Sequence, residues 1–166
     1  MPTEPPRAYL DANVLLAFVA DEEGRAGEVQ SVLAAGQEGK IELVTSVLSI
    51  AEVAFVASDQ GTGEAVGSEE AIAQLWVAAS PINLVDVSTR VALQARAIIR
   101  ESRRQGMRTV KPADAIHLVT AAIHGCHRFF TYERAATRQQ WSDLIHISVD
   151  EPYTNEPRLG IGEATS

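Results

Sequence analysis

The stretch Ala8-Tyr9-Leu10-Asp11-Ala12-Asn13-Val14-Leu15 limits the fold of this chain more than any other. Tyr9 and Leu10 read as the end of a short buried strand. Val14, Leu15, Phe18 and Val19 read as the apolar face of a helix that begins at once. Strands that pass directly into helices are the building blocks of βαβ units and a parallel sheet. Asp11 falls at the handover, with Asn13 at or near the helix N-cap. In an open α/β sheet the carboxyl ends of the strands form the edge where ligands bind. Asp and Asn are also ordinary capping residues for free backbone N–H groups. Taken alone, the stretch leaves Asp11 evenly placed between cap and site.

The same alternation continues along the chain. Ala26, Val29, Val32 and Leu33 predict an amphipathic helix ending near Gly36, followed by a strand at residues 41–44. Thr45 and Ser46 suit the strand exit and the cap of a strongly apolar helix that holds Glu52. Residues 58–67 carry three glycines and read as a loop, and Ser68 reads as the next helix start. A strand is expected at 82–87 and a long helix capped by Ser88, ending at Gln105-Gly106. Pro112 suits the first turn of a helix that is apolar nearly all round and stops at Gly125. A strand at 128–131, a short helix from Glu133 through Arg138 and a fifth strand at 145–148 complete the pattern. The expectation is one α/β domain over residues 1–150, with a mainly parallel sheet and helices on both faces, and a polar tail over 151–166.

The 166 residues suit a single domain able to bury roughly two-thirds of its unfolded surface. The single Cys126 excludes an intrachain disulfide and a Cys-rich zinc site. No apolar run reaches the roughly 18–20 residues of a membrane span, and the start lacks the basic, apolar pattern of a signal peptide. A cytoplasmic protein is expected.

A net charge of −8 argues against a polyanion partner, but its distribution does not. Residues 1–87 carry a net −11, residues 88–138 a net +7, and the remainder −4. The basic block contains Arg96, Arg100, Arg103, Arg104, Arg108 and Lys111, an arrangement suited to neutralising phosphates as well as to a solvated helix face.

Four acidic residues stand at strand or helix ends, or within apolar surroundings. Asp11 follows the first strand, Glu52 lies on the helix after the second, Asp114 is in the first turn of the apolar helix, and Glu133 follows the fourth strand. In a parallel sheet the strand ends lie on one edge, so these four are able to converge there. Carboxylates gathered there without a counter-charge repel one another, and a divalent cation removes that cost. Hard oxygen ligands suit Mg²⁺ or Mn²⁺, which can activate water for phosphodiester hydrolysis. Each acid except Glu52 also has a capping role open to it, and Glu52 could share an exposed stripe with Ser49. His117, three residues after Asp114, reads as a core histidine that hydrogen-bonds near the site rather than as a ligand.

Taken together, Tyr9 to Leu15, Thr45 to Glu52, Ala113-Asp114-Ala115-Ile116-His117-Leu118 and Phe130-Thr131-Tyr132-Glu133 resemble, in order and spacing, the PIN-domain family and within it the VapC-like toxin ribonucleases. The resemblance implies a PIN-like three-layer fold with about five strands and a Mg²⁺- or Mn²⁺-dependent endoribonuclease. It also implies a homodimer and neutralisation by a VapB-type antitoxin. Carried over by position, Asp11, Glu52 and Asp114 would bind metal, and Glu133 would complete the catalytic acids. Asn13, Thr131 and His117 would support them. The family's fourth acid is usually Asp, so Glu133 departs from the pattern. Two other readings compete: a catalytically weakened PIN-like module that binds RNA or a protein partner, and a phosphoryl-accepting receiver using Asp86. The receiver lacks its acidic pair, since Ala12 follows Asp11.

Overall fold

The computed structural model describes residues 3–59 and 65–154. The chain runs β1 (Arg7–Leu10), α1 (Ala12–Val19), α2 (Ala26–Gln37), β2 (Glu42–Ser46), α3 (Leu48–Asp59), α4 (Ala65–Leu75), β3 (Ile82–Val85), α5 (Thr89–Arg104), α6 (Pro112–Ile123), β4 (Arg128–Phe130), α7 (Ala135–Ile145) and β5 (Ser148–Asp150). All four strand pairings are parallel, and the sheet order is β3-β2-β1-β4-β5. The expected three-layer α/β architecture is therefore the one found.

Strand alternation explains the layers. In β1, Ala8 and Leu10 point to one face and join Leu43, Ile82 and Phe130 in a core covered by residues of α1 to α4. Tyr9 points to the other face and joins Val44, Phe129 and Val149 under α5, α6 and α7. Both sides are buried, as a parallel sheet requires. Gly36 lets α2 approach β2 closely, because a Cβ there would lie 2.5 Å from a Leu43 methyl carbon.

The chain leaves β1 toward β2 and β3, then returns to the opposite side of β1 with β4 and β5. The order thus reverses between β1 and β4, and the crevice beyond their carboxyl ends is the favoured ligand position in such a sheet. Asp11 and Thr131 follow those two strands directly. The Asp11 amide donates to the Phe130 carbonyl at 3.0 Å, so the two strand ends are bonded together at the crevice.

Ser88 caps α5 as expected, accepting from the Val91 amide at 3.2 Å. Lys111 and Pro112 open α6, and Gly125 follows its end with φ 65°. Several boundaries differ. The α1 cap is Asp11, whose side chain accepts from the Ala12 amide, and not Asn13. The helix expected at Ser68 begins at Ala65, and residues 60–64 of the expected loop lie outside the described residues. β3 ends at Val85, short of residue 87.

The largest difference concerns residues 133–150. The expected short helix becomes the eleven-residue α7, and the fifth strand moves from 145–148 to Ser148–Asp150. Ile145 lies four residues after Trp141 and both are buried, a helical spacing that outweighs the Ile145/Ile147 alternation. His146 then ends the helix in a left-handed conformation at φ 55°. The tail expected from residue 151 is still packed at Tyr153, whose ring meets Phe130 edge-on and lies under the Arg128 guanidinium. Residues 155–166 of that tail lie outside the described residues.

Candidate active site

The first wall of the crevice is built on hydrogen bonds. Asp11 is only 5% exposed. Its Oδ1 accepts from the Ala12 amide and its Oδ2 from the Thr131 hydroxyl, both at 2.8 Å. Asn13 does not cap the helix. Its Nδ2 donates to Thr131 Oγ1 at 2.9 Å, and its Oδ1 accepts from the Tyr132 amide at 3.1 Å. The buried Thr131 hydroxyl is thus a hub between Asp11 and Asn13, and the turn after β4 is fastened to the first turn of α1. Burial pushes the Asp11 carboxyl above its ordinary range, and the Glu52 charge adds to the rise. The His117 charge, the Thr131 hydroxyl and the Ala12 amide work against it.

The second wall is carboxylate facing carboxylate. Asp114, in the first turn of α6, has its carboxyl pushed up to about 6 by burial and then by the charges of Asp11 and Glu133. Glu133 and Asp114 line a cavity of about 50 Å³ with Arg108, Lys111, Thr137, Gln140 and Trp141. Its floor is tied by Gln140, whose side-chain amide donates to the Arg108 carbonyl at 2.6 Å.

Glu52 reaches the site from α3. Its Oε2 lies 2.5 Å from Nε2 of His117, which is 1% exposed. Ser49 does not place Glu52 on an exposed stripe, because it is buried and bonded to Thr45. His117 is a core histidine bonded at both ring nitrogens, the second to the Tyr9 hydroxyl at 2.7 Å. Burial alone would lower its pKa. The hydrogen bond to Glu52 and the charges of Asp11, Glu52 and Asp114 outweigh this and leave it raised. Sequence reasoning placed Tyr9 in the strand and overlooked its hydroxyl. The available signal was a Tyr rather than a Phe in a central strand, since a buried hydroxyl needs a partner.

Asp11 feels the charge of Glu52, and Asp114 feels those of Asp11 and Glu133, so the four acids from residue 11 to residue 133 are linked in pairs. Among the described residues no group of three or more His, Cys, Asp or Glu side chains stands ready to hold a metal ion. The donor chemistry nonetheless suits Mg²⁺ or Mn²⁺. Such ions take one or two carboxylates directly and keep several waters, so a closed protein cage is not needed. Desolvated acids that raise one another's pKa are also the environment that a cation relieves.

The basic block divides in two. Arg108 and Lys111 border the acidic cavity. Arg96, Arg100 and Arg103 instead line a groove of about 540 Å³ floored by Ala92, Ala95, Ile99, Pro112 and Ile116, between α5 and α6. Arg104 is engaged with Glu101 at 2.6 Å. Asp86, exposed beyond the edge strand β3, takes no part in the acid cluster. No helix among the described residues is long and apolar enough to cross a membrane.

Comparison with solved structures finds the same fold in several toxin–antitoxin proteins. VapBC2 from Rickettsia felis, bound to a promoter DNA fragment, superposes with a TM-score of 0.68 at 10% identity, covering 87% of this chain and 98% of that one. FitAcB from Neisseria gonorrhoeae gives 0.63 at 17% identity, with 87% and 97% coverage. VapC20 from Mycobacterium tuberculosis, a toxin that cleaves the sarcin–ricin loop, gives 0.61 at 14% identity, with 78% and 92% coverage. At these identities the likeness establishes the fold. No curated protein matches the chain by sequence. Residues 8–141, however, match the PIN domain family, a span that holds all four acids and both walls of the crevice. The chain belongs to the PIN-domain family.

Proposed function

We propose that this protein is a Mg²⁺- or Mn²⁺-dependent endoribonuclease, the toxin of a VapBC-type pair, acting in the cytoplasm as a homodimer held in check by a VapB-type antitoxin. The observation that carries the reading is the half-buried Asp114, whose carboxyl is raised by burial and by the charges of Asp11 and Glu133 beside the carboxyl ends of β1 and β4. A protein that keeps two acids partly or wholly desolvated beside further carboxylates has a costly arrangement with an obvious use. PIN domains are generally nucleases, and the complexes that share this fold include VapBC and FitAB assemblies.

In this reading Asp11 and Asp114 are the principal metal ligands, and Glu52 binds metal or holds a water. Glu133 is the fourth catalytic acid. A bound Mg²⁺ or Mn²⁺ would polarise a phosphoryl oxygen and acidify a coordinated water. The protein's own groups do the rest. Thr131 and Asn13 hold the Asp11 carboxylate in one orientation. His117 holds Glu52. Arg108 and Lys111, at the rim of the acidic cavity, neutralise backbone phosphates of the RNA, and Arg96, Arg100, Arg103 and Arg104 extend the positive field along α5.

The test is incubation of the purified protein with RNA in Mn²⁺ and in chelator. Internal cleavage that needs Mn²⁺ is expected, and its absence under all divalent conditions overturns the reading. Glu133 in the fourth position, where the family usually has Asp, favours one alternative: a weakened PIN-like module that binds RNA or a protein partner. RNA binding without Mn²⁺ binding would select it.

A further inference from the structure

A chain of buried hydrogen bonds links the central strand to Glu52. The Tyr9 hydroxyl accepts from the Ser46 amide at 2.9 Å and lies 2.7 Å from His117 Nδ1. On its other side the imidazole lies 2.5 Å from Glu52 Oε2. Tyr9 is fully buried and His117 is 1% exposed, whereas the Glu52 side chain is 29% exposed. The relay therefore starts at the strand end where β2 passes toward α3, and surfaces only at a carboxylate of the site.

We propose that Tyr9 is a positioning residue for Glu52 and acts through His117. The inference rests on the role given to Glu52 above. The Ser46 amide anchors the Tyr9 hydroxyl from the backbone. Anchored in this way, the hydroxyl meets Nδ1 of His117 and fixes the imidazole. The ring is thereby held with Nε2 toward Glu52. A glutamate on a helix has several free rotamers. Among the described residues His117 is the only hydrogen-bond partner of Glu52, so the orientation of this carboxylate depends on the imidazole, and the imidazole in turn on Tyr9. Support of this kind is how groups behind a ligand normally set its geometry. Packing alone does not account for it, because the Tyr9 ring is already held by stacking on Phe129, with centroids 5.0 Å apart.

Tyr9→Phe keeps that stack and deletes only the hydroxyl. Expected is a loss of about 10- to 100-fold in kcat and a weaker Mn²⁺ affinity, with KM for RNA little changed. The ¹⁵N resonance of His117 Nδ1 should move, showing that it has lost its hydrogen-bond partner. In a Glu52→Gln background the same substitution should cost little more, because both changes disable one unit. If Tyr9→Phe does not fold, His117→Gln breaks the relay at its middle and must reproduce the loss. A folded Tyr9→Phe protein with parental kcat and Mn²⁺ affinity overturns the proposal, as does full additivity with Glu52→Gln. If the parent itself neither cleaves RNA nor binds Mn²⁺, the nuclease reading fails on its own. The relay is then judged by the ¹³C signal of the Glu52 carboxylate, which must shift in Tyr9→Phe and overturns the proposal if it does not.

Discussion

The two walls of the crevice contain the same chemical group in opposite circumstances. On one, both oxygens of Asp11 are met by donors, and the Thr131 hydroxyl and Asn13 amide interlock around it. On the other, Asp114 faces Glu133 and Asp11 with burial and like charge both acting against its ionisation. The first wall is organised before any ligand arrives. The second is held in a state that a proton or a cation relieves. A site of this type divides its labour: hydrogen bonds fix where one carboxylate points, and repulsion keeps the other available. The difference is built into position. Asp11 follows a central strand and caps a helix, where the Ala12 amide and the Thr131 hydroxyl meet it, whereas Asp114 sits inside the first turn of α6, where no backbone donor meets its side chain in the described structure.

The comparison can be broken most sharply by neutralising either wall. Asp11→Asn or Asp114→Asn should lower Mn²⁺-dependent cleavage by about 10³-fold or more, since several kcal/mol of charge stabilisation would be lost. Single-turnover assays on folded variants check this. Thr131→Val strikes the organised wall alone. It leaves Asp11 Oδ2 without a donor inside the protein and should cost about 1–3 kcal/mol of stability in denaturant unfolding. The disturbed ligand should also lower activity by about 10- to 100-fold.

The repulsive wall predicts a pH dependence. The folded carboxyl of Asp114, at about 6, lies above its ordinary value of 3.8, so the metal-free fold binds the proton more tightly than the unfolded chain does. Its protonated form therefore supports stability fully below about pH 4, and that support is lost as pH rises through about 6. Asp114→Asn should consequently stabilise the metal-free protein at pH 7 by about 1 kcal/mol, a value discounted for partial exposure, and should do little at pH 4. Thermal unfolding at the two pH values reads this directly. Mn²⁺ affinity in the parent should fall as pH drops below about 6, because the ion must then displace a proton. The smallest effect concerns the rim. Arg108→Ala should raise KM for RNA a few-fold and reduce the salt slope of binding by about 1, while loss of Arg104, already committed to Glu101, should change it less.

The architecture was legible because the chain repeats its strand-to-helix transitions with clear punctuation. Ser88, Pro112 and Gly125 mark helix ends by local chemistry, and all three act where local chemistry puts them. Four acids arriving in order at strand and helix ends were likewise visible one by one. Local signals failed where a partner distant in sequence decides. The left-handed turn at His146 and the burial of Trp141 with Ile145 set the end of α7, and no turn residue announces it. Asp11 rather than Asn13 caps α1 because Asn13 is drawn to Thr131 and Tyr132, more than a hundred residues away. The basic block read as one surface, yet the packing of α5 on α6 separates Arg96, Arg100 and Arg103 from Arg108 and Lys111. The Tyr9–His117–Glu52 relay joins three elements that only the fold brings together.

Calorimetric titration with Mn²⁺ addresses the central claim most directly, because it asks whether the repulsive wall exists to hold a cation. The parent at pH 7.5 should bind Mn²⁺ with proton release that grows as the pH is lowered toward 6, and Asp114→Asn should lose that binding while remaining folded. A parent that gives no heat of binding, or an Asp114→Asn variant that binds as the parent does, would contradict the account.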